Sequence, residues 1–174
     1  SVNWNYYTEP EPALHGRRLW WPRGKVLGGS SSINAMCYIR GHARDYDEWA
    51  ALGASGWDWA SVLPWFKRSE HNERGADDFH GVDGLLNVAD HRYHNPLSPI
   101  LLEAAKENGF ALNPDFNGAQ MEGFGFYQLT QKNGQRWSTA AGYLNAARDR
   151  GNLTIRTRAL VERVVIENGR AVAV

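Results

Sequence analysis

Residues 21–36 read Trp21-Pro22-Arg23-Gly24-Lys25-Val26-Leu27-Gly28-Gly29-Ser30-Ser31-Ser32-Ile33-Asn34-Ala35-Met36, with glycines and serines placed between two apolar patches. Glycine has no Cβ, so backbone N–H groups in such a loop can closely approach a flat or phosphorylated ligand. Serines directly before a helix accept its free N–H groups, and a helix N-terminus favours a nearby negative charge. The apolar flanks argue against a solvated Gly/Ser linker. Local chemistry leaves two interpretations open, a loop that cradles a ligand and a tight strand-to-helix turn.

The 174-residue chain has the composition of one globular domain, with 43% hydrophobic and 22% charged residues. Its 19 Lys and Arg balance 19 Asp and Glu, so no field of a single sign exists to attract nucleic acid. The one cysteine, Cys37, excludes an internal disulfide, fits a reducing compartment and is expected to be buried and unreactive. No apolar run is long enough to span a membrane and no secretion leader opens the chain. These features predict a cytoplasmic protein or one peripheral to the inner membrane.

Patterns in the first half of the chain predict mostly helix after the glycine loop. Residues 33–39 are apolar enough to begin a buried helix. Asp45 and Glu48 have the spacing of a capping box, which predicts a short helix after Asp45. Asp58 is expected to cap a further helix that ends at Glu70.

Patterns in the second half predict both helices and strands. Ser98 is expected to cap a helix through Asn108, and Ser138 a helix through Arg150. Asn168-Gly169 is a strong signal for a two-residue hairpin turn. Strands are predicted over residues 124–131, 153–157, 160–167 and 171–174. The secondary structure is therefore expected to be mixed α and β.

Several common catalytic motifs are excluded by the residues themselves. Gly24-Lys25 is followed by Val26 where a phosphate-binding P-loop needs Ser or Thr. The chain contains no His-Glu-x-x-His, Cys-x-x-Cys or Gly-x-Ser-x-Gly, so zinc protease, redox dithiol and esterase functions lack support. His91 and His94 are spaced as metal ligands could be on a helix, but no third ligand follows at a useful spacing, so no metal site is predicted.

The motifs and their order along the chain resemble a known family, which residue spacing by itself does not identify. Residues 21–36, followed by Tyr38-Ile39-Arg40-Gly41 and Asp45-Tyr46-Asp47-Glu48-Trp49, resemble the first signature of the glucose–methanol–choline (GMC) oxidoreductases, especially its choline dehydrogenase-like members. Further motifs in the family's order are Gly56-Trp57, Val62-Leu63-Pro64, Phe79-His80-Gly81, Asp115-Phe116-Asn117-Gly118, Asn133-Gly134 and Tyr143-Leu144. The resemblance therefore extends over nearly the whole chain.

The resemblance implies a mixed α/β fold, part of a Rossmann-type FAD-binding domain interleaved with part of an antiparallel-sheet substrate domain. Residues 1–70 and 138–174 would belong mostly to the FAD domain, and residues 71–137 mostly to the substrate domain and its lid. The family's glycine fingerprint should precede Ser1 and its catalytic histidine pair should follow Val174. We therefore expect an internal fragment without catalytic residues, which neither binds FAD tightly nor turns over by itself.

By the same resemblance the cofactor is FAD, and ten residues are assigned to it. They are Gly24, Lys25, Val26, Leu27, Gly29, Asn34, Ala35, Met36, Cys37 and Val161. The glycine-loop residues would line the cofactor, Asn34–Cys37 would touch the pyrophosphate or the isoalloxazine, and the backbone of Val161 would meet the adenine. Trp4 is a weaker match to an upstream aromatic residue near the cofactor. Ile33 occupies the position of the histidine that carries covalent flavin in some members, so the FAD is expected to be non-covalent.

For the full-length protein the resemblance implies oxidation of a primary alcohol to the aldehyde by hydride transfer to the flavin. The partners would be a small alcohol and an electron acceptor, which is a quinone, another carrier or oxygen. One alternative is a lyase of the same family, of the hydroxynitrile lyase type, which keeps flavin without net redox chemistry. Another is a tryptophan-rich carbohydrate-binding module, which would need exposed aromatic residues on one face. The identity of the alcohol stays open.

Overall fold

Short strands and short helices alternate along the chain in this computed structural model, which describes residues 1–174. The helices are α1 (Ala43–Ala51), α2 (Trp59–Ser69), α3 (Leu97–Glu107) and α4 (Asn145–Ala147). The strands are β1 (Tyr6–Tyr7), β2 (Trp20–Trp21), β3 (Cys37–Tyr38), β4 (Glu70–Asn72), β5 (Leu86–Val88), β6 (Gln128–Leu129), β7 (Gln131–Lys132), β8 (Gln135–Arg136), β9 (Val165–Glu167) and β10 (Arg170–Ala173). Short 3₁₀ turns cover Pro12–Leu14 and Gly29–Ser32, and a π-helical turn covers Ala140–Leu144. The expected mixed α and β content is confirmed.

Each strand pairs with one other strand, and two of the resulting two-stranded sheets lie at the centre of the fold. Strand β4 pairs with β5 in parallel, and β3 pairs with β6 in antiparallel fashion with Cys37 opposite Leu129. Ala89, directly after β5, forms a further antiparallel bridge to Leu129. The segment after the glycine loop is thereby connected to the second half of the chain through backbone hydrogen bonds.

Helices α1 to α3 lie where the sequence predicts helices, but two of their caps differ. Asp58 caps α2 as expected, accepting a 3.0 Å hydrogen bond from the Ser61 N–H. Helix α1 begins one turn earlier than predicted, because His42 is its N-cap and Asp45 accepts from the His42 N–H at 2.9 Å. Ser98 is not the cap of α3, since it lies inside the helix, and it is Asn95 Oδ1 that accepts from the Leu97 N–H at 3.0 Å.

The helix predicted over residues 33–39 is wrong. The 3₁₀ turn Gly29–Ser32 ends just before these residues, and the extended strand β3 lies within them. Asn34 Oδ1 accepts a 3.0 Å hydrogen bond from the Met36 N–H, a local bond that competes with helix formation. Met36 itself has a φ of 63°, which a right-handed helix does not allow.

The C-terminal segment follows its predictions in part. Ser138 Oγ accepts from the Ala141 N–H at 3.3 Å, and helical turns continue from Ala140–Leu144 into α4. Asn168-Gly169 forms the predicted hairpin, in which Glu167 on β9 lies opposite Arg170 on β10. Residues 153–157 form no strand, and the predicted strand 124–131 is reduced to β6 and the start of β7.

The core of the chain is small and largely polar. Only 17 of the 174 residues are buried, and nine of these are polar or charged. Many large apolar side chains stay exposed, among them Trp57 and Trp65. Cys37 is exposed as well, so the prediction of a buried thiol is wrong for this chain, because β3 presents that side chain to an uncovered face. None of the helices is long and apolar enough to cross a bilayer.

Five polar residues in this core form a closed circuit of hydrogen bonds, which we call the polar ring. Three of its links join side chains, and two are donated by the backbone N–H groups of Arg40 and Asn117. Its members, in order, are Arg40, Glu70, His80, Asp115 and Asn117. Four of them are at most 5% exposed, and the side chain of Asp115 is 26% exposed. The ring connects Arg40, just after β3, with Glu70 at the start of β4 and with the loops that carry His80 and Asp115.

Candidate cofactor groove

A groove of about 700 Å³ separates the glycine loop from an extended segment near the C-terminus. Its lining residues are Trp4, Gly24, Lys25, Val26, Leu27, Arg156, Thr157, Arg158, Ala159 and Leu160. The N-terminal segment runs alongside the loop, since the Trp4 N–H donates to Arg23 O at 2.9 Å and the Lys25 N–H donates to Val2 O at 2.8 Å. These bonds place the Trp4 ring at one end of the groove. A volume of this size is typical of a small-molecule or cofactor site.

The glycines of the loop are required first by the loop's own backbone. A Cβ at Gly24 would overlap the carbonyl of Gly29, and a Cβ at Gly28 would overlap the Ser32 hydroxyl. Gly28 and Gly29 also have φ values of 87° and 54°, which glycine adopts at little cost. The loop is therefore a tight turn that lines a groove, and it leads into the 3₁₀ turn Gly29–Ser32 and strand β3 instead of an α-helix.

The groove carries positive charge. Lys25, Arg156 and Arg158 line it, and no acidic side chain does. Lys25 Nζ lies 4.6 Å from the centroid of the Trp4 ring, which holds this cation at the groove by a cation–π contact. Three cations and an indole ring together fit an anionic ligand with planar groups, such as a dinucleotide.

Hydrogen bonds from Arg136 and Thr139 stabilise the glycine loop. The Thr139 N–H donates to Ser31 Oγ at 3.0 Å, and Thr139 Oγ1 donates to Gly28 O at 3.2 Å. Arg136 Nη1 donates to both Ser31 O (3.1 Å) and Asn34 Oδ1 (2.8 Å). The conformation of the loop therefore depends on residues more than 100 positions further along the chain.

The histidine pair weighed as a metal site forms an aromatic cluster. The ring centroids of His91 and His94 are 5.5 Å apart, and His94 packs on Phe126 at 4.2 Å. Burial, together with the nearby His94, lowers the pKa of His91. No group of three or more His, Cys, Asp or Glu side chains is placed to hold a metal ion.

A family model described as GMC oxidoreductase matches residues 4–174. The chain belongs to the GMC oxidoreductase family. The chain is 51% identical over 172 residues to an oxygen-dependent choline dehydrogenase of Sinorhizobium fredii, covering 99% of this chain and 31% of that protein. It is 48% identical over 174 residues to the mitochondrial choline dehydrogenase of Mus musculus, covering 100% of this chain and 29% of that protein. The chain thus spans about 30% of the length of these curated relatives.

Solved structures of other GMC oxidoreductases confirm the fold. Pyridoxine 4-oxidase from Mesorbium loti superposes with a TM-score of 0.90 at 34% identity, covering 98% of this chain and 34% of that chain. An FAD-dependent oxidoreductase from Chaetomium thermophilum superposes with a TM-score of 0.84 at 27% identity, covering 98% of this chain and 32% of that chain. These four similar proteins are named as dehydrogenases, an oxidase and an oxidoreductase, and none supports the lyase alternative.

The ten residues that the GMC resemblance assigns to FAD fall into three places. Gly24–Leu27 line the groove. Gly29 does not line it, and its carbonyl lies where a Cβ on Gly24 would be. Asn34–Cys37 lie beyond the 3₁₀ turn and do not line this groove, although three of the four residues are exposed. Val161 is 56% exposed and directly follows the groove residue Leu160.

The opposite wall of the groove, residues 156–160, was not predicted from the sequence apart from the neighbouring Val161. One signal was present, because two basic residues, Arg156 and Arg158, lie close together in the sequence. The position of this segment against the glycine loop depends on packing between residues about 130 positions apart. The sequence alone offers no local sign of that contact.

Proposed function

We propose that the full-length protein uses FAD to oxidise a small primary alcohol to the aldehyde, and that this chain supplies one wall of the FAD site. The observation that carries the proposal is the positively charged groove between the glycine loop and residues 156–160. Family membership supports it, as do the names of the relatives, which include choline dehydrogenases and an FAD-dependent oxidoreductase. Choline is the first alcohol to test, because it is the substrate in the names of two relatives about half identical to this chain.

We assign the groove residues to the anionic and adenine-bearing part of the cofactor. Lys25, Arg156 and Arg158 would neutralise the diphosphate, and the backbone around Gly24 would approach it closely. Val161, at the end of the same wall, would meet the adenine through its backbone. FAD, when bound, accepts the hydride, and the protein supplies binding and orientation.

Asn34–Cys37 are assigned to the flavin-proximal part of the cofactor. Asn34, Ala35 and Cys37 are exposed in this chain, so their surfaces are free to contact a ligand. Ile33 has a hydrocarbon side chain and provides no atom for a covalent flavin bond. The division into an FAD part (1–70 and 138–174) and a substrate part (71–137) belongs to the same proposal.

Flavin spectroscopy of the full-length protein tests this proposal. We expect the purified protein to show flavin absorbance, and acid precipitation to release the flavin into the supernatant. Choline added without oxygen is expected to bleach the flavin band, with betaine aldehyde as the product. A full-length protein that cannot be loaded with FAD would overturn the cofactor assignment, and a loaded flavin that no primary alcohol bleaches would overturn the oxidation.

The electron acceptor and the compartment belong to the same proposal. Oxygen is the first acceptor to test, because the relative from Sinorhizobium fredii is named oxygen-dependent. Oxygen uptake during choline turnover, compared with reduction of a soluble quinone, distinguishes the two acceptors. We propose a cytoplasmic protein or one peripheral to the inner membrane, and fractionation of cells that express the full-length protein tests that location.

A further inference from the structure

We infer that the polar ring positions the segment Asn34–Cys37 for contact with the flavin, so that its members act as positioning residues at a distance from the cofactor. The inference rests on the function proposed above. None of the five ring side chains lines the cofactor groove. Their effect on the cofactor would therefore be transmitted through the backbone that follows β3.

Asn117 is the ring member that holds this backbone. Its Oδ1 accepts a 2.8 Å hydrogen bond from the Arg40 N–H, and its Nδ2 donates to Tyr38 O at 3.1 Å. Immediately upstream, the Thr130 N–H donates to Met36 O at 2.9 Å. The predicted flavin segment and the chain directly after it are thus held at three backbone groups, and two of them depend on a single amide side chain.

The remaining ring members hold the backbone of Asn117, from which that amide extends, and they bind one another. Asp115 Oδ1 accepts from the Asn117 N–H at 3.0 Å, and its Oδ2 accepts from His80 Nε2 at 2.9 Å. His80 Nδ1 lies 3.0 Å from Glu70 Oε1. Arg40 Nη2 donates to Glu70 Oε2 at 2.7 Å and closes the circuit. Each polar group is therefore held by the next, and the ring has no free end.

The ring is electrically balanced only when His80 is protonated. A neutral imidazole donates from one nitrogen, whereas His80 has a carboxylate at both nitrogens and needs two protons to donate to both. The positive charges of Arg40 and His80 then balance the negative charges of Glu70 and Asp115. Burial lowers the pKa of His80, but the hydrogen bonds to Asp115 and Glu70 outweigh burial and raise the pKa to about 9.

The ring also crosses the proposed division of the chain. Arg40 and Glu70 belong to the part assigned to the FAD domain, whereas His80, Asp115 and Asn117 belong to the part assigned to the substrate domain. The flavin-proximal segment is thus anchored to the substrate part through the ring.

The test measures FAD binding by the full-length protein carrying Asn117→Ala or His80→Gln. Each variant removes hydrogen bonds of the ring, and we expect the dissociation constant for FAD to rise about tenfold or more in each. Because both act along one chain of contacts, the double variant is expected to bind FAD no more weakly than the weaker single variant. The midpoint potential of the bound flavin, measured by dye equilibration, is expected to shift in both single variants.

Asn87→Ala is the matched control, because Asn87 is equally buried and donates to Glu73 Oε1 and Gln131 O outside the ring. We expect it to lower the melting temperature while leaving FAD affinity and potential within about twofold and a few millivolts of wild type. Asn117→Asp, which keeps the shape and the acceptor for Arg40, serves if Asn117→Ala does not fold, and it is expected to weaken FAD binding as well.

Two results would overturn the inference while the proposed function stands. One is a wild-type protein that binds FAD together with Asn117 variants of unchanged affinity and potential. The other is an Asn87→Ala protein that loses FAD affinity as much as the ring variants do, which would show a general effect of instability. A wild-type full-length protein that cannot bind FAD would overturn the proposed function as well.

Discussion

Arg40 Nη2 donates a 2.7 Å hydrogen bond to Glu70 Oε2, and the Glu70 side chain has no exposed surface. The same guanidinium donates through Nη1 to Phe79 O at 2.8 Å and lies 5.2 Å from the centroid of the Phe66 ring. Both charges are therefore removed from water and compensate each other, and His80 is the second cationic partner of Glu70. A buried pair of this kind adds little net stability over an apolar pair, but the loss of one partner is costly.

Replacing Arg40 with Met should therefore destabilise the protein strongly. The variant would remove the arginine from the buried Glu70 and leave only His80 as its cationic partner, and we expect the free energy of unfolding to fall by about 3–5 kcal/mol. Urea unfolding of the full-length protein, followed by tryptophan fluorescence, measures the change. Lys106→Ala is the control, since it removes an ion pair to Glu103 whose side chains are 61% and 57% exposed. A change in Arg40→Met no larger than in that control would contradict the assigned role of the buried pair.

Stability should decline at alkaline pH because of His80. Its pKa is raised from 6.5 to about 9 in the folded chain, so its contribution is complete below about pH 6.5 and is lost as pH rises towards 9. The carboxylates of Glu70 and Asp115 face the ring, the Arg40 guanidinium bonds the same Glu70, and Arg74 lies close enough to act on Asp115. Burial acts to raise the pKa of Asp115, but its hydrogen bond from His80 holds that pKa below the usual range, so the slope is assigned to the histidine.

Melting temperatures between pH 6 and pH 10 measure this slope. We expect the wild-type protein to lose stability between pH 6.5 and pH 9, whereas His80→Gln starts lower and changes less over the same range. The difference between the two proteins should shrink as the pH passes about 9. Parallel profiles for the two proteins across the whole range would count against a charged His80.

Gly24→Ala should disrupt the glycine loop and, with it, the cofactor. The added Cβ would overlap the Gly29 carbonyl, so the loop must shift at its tightest point. Overpacking of this kind costs about 1–3 kcal/mol, and we expect a loss of FAD affinity of about tenfold or more. Gly151→Ala is the control, because an added Cβ there meets nothing within 4 Å. The flavin-to-protein absorbance ratio, read during FAD titration, measures both, and equal ratios in the two variants would contradict the role of Gly24.

The features that could be predicted from the sequence are those with a local cause. Asp58 caps α2 because its carboxylate reaches an N–H three residues away, and Asn168-Gly169 turns because both residues accept a positive φ. The helix predicted over residues 33–39 is absent for an equally local reason, which the apolar pattern does not show. The Met36 N–H donates to Asn34 Oδ1, and this bond competes with helix formation. His42 was missed as a cap because histidine is uncommon at that position.

Only one of the two walls of the candidate cofactor groove could be predicted. The family resemblance identified the loop at Gly24–Leu27, and the structure places that loop in a groove. The facing wall at Arg156 and Arg158 comes from packing between distant segments, which no local pattern encodes. The polar ring is likewise assembled from residues up to 77 positions apart, such as Arg40 and Asn117, and becomes visible only in three dimensions.

Arg156→Gln should weaken FAD binding mainly by removing charge. Arg156 lines the groove together with Lys25 and Arg158, and no carboxylate lines that groove. Loss of one of three cations facing a diphosphate is expected to raise the dissociation constant for FAD about tenfold at low salt. The difference from wild type should narrow as salt increases, because screening weakens the same attraction in the wild-type protein.

Arg170→Gln is the matched control for this experiment, since Arg170 is an exposed arginine on β10 that does not line the groove. Titration of the apoprotein with FAD at several salt concentrations, followed by quenching of flavin fluorescence, measures all three proteins. Because both substitutions remove one positive charge, a general effect of net charge would lower the affinity equally in the two variants. An Arg156→Gln protein that loses no more affinity than Arg170→Gln would place the diphosphate away from this groove, and the assignment of residues 156–160 to the cofactor would then be wrong.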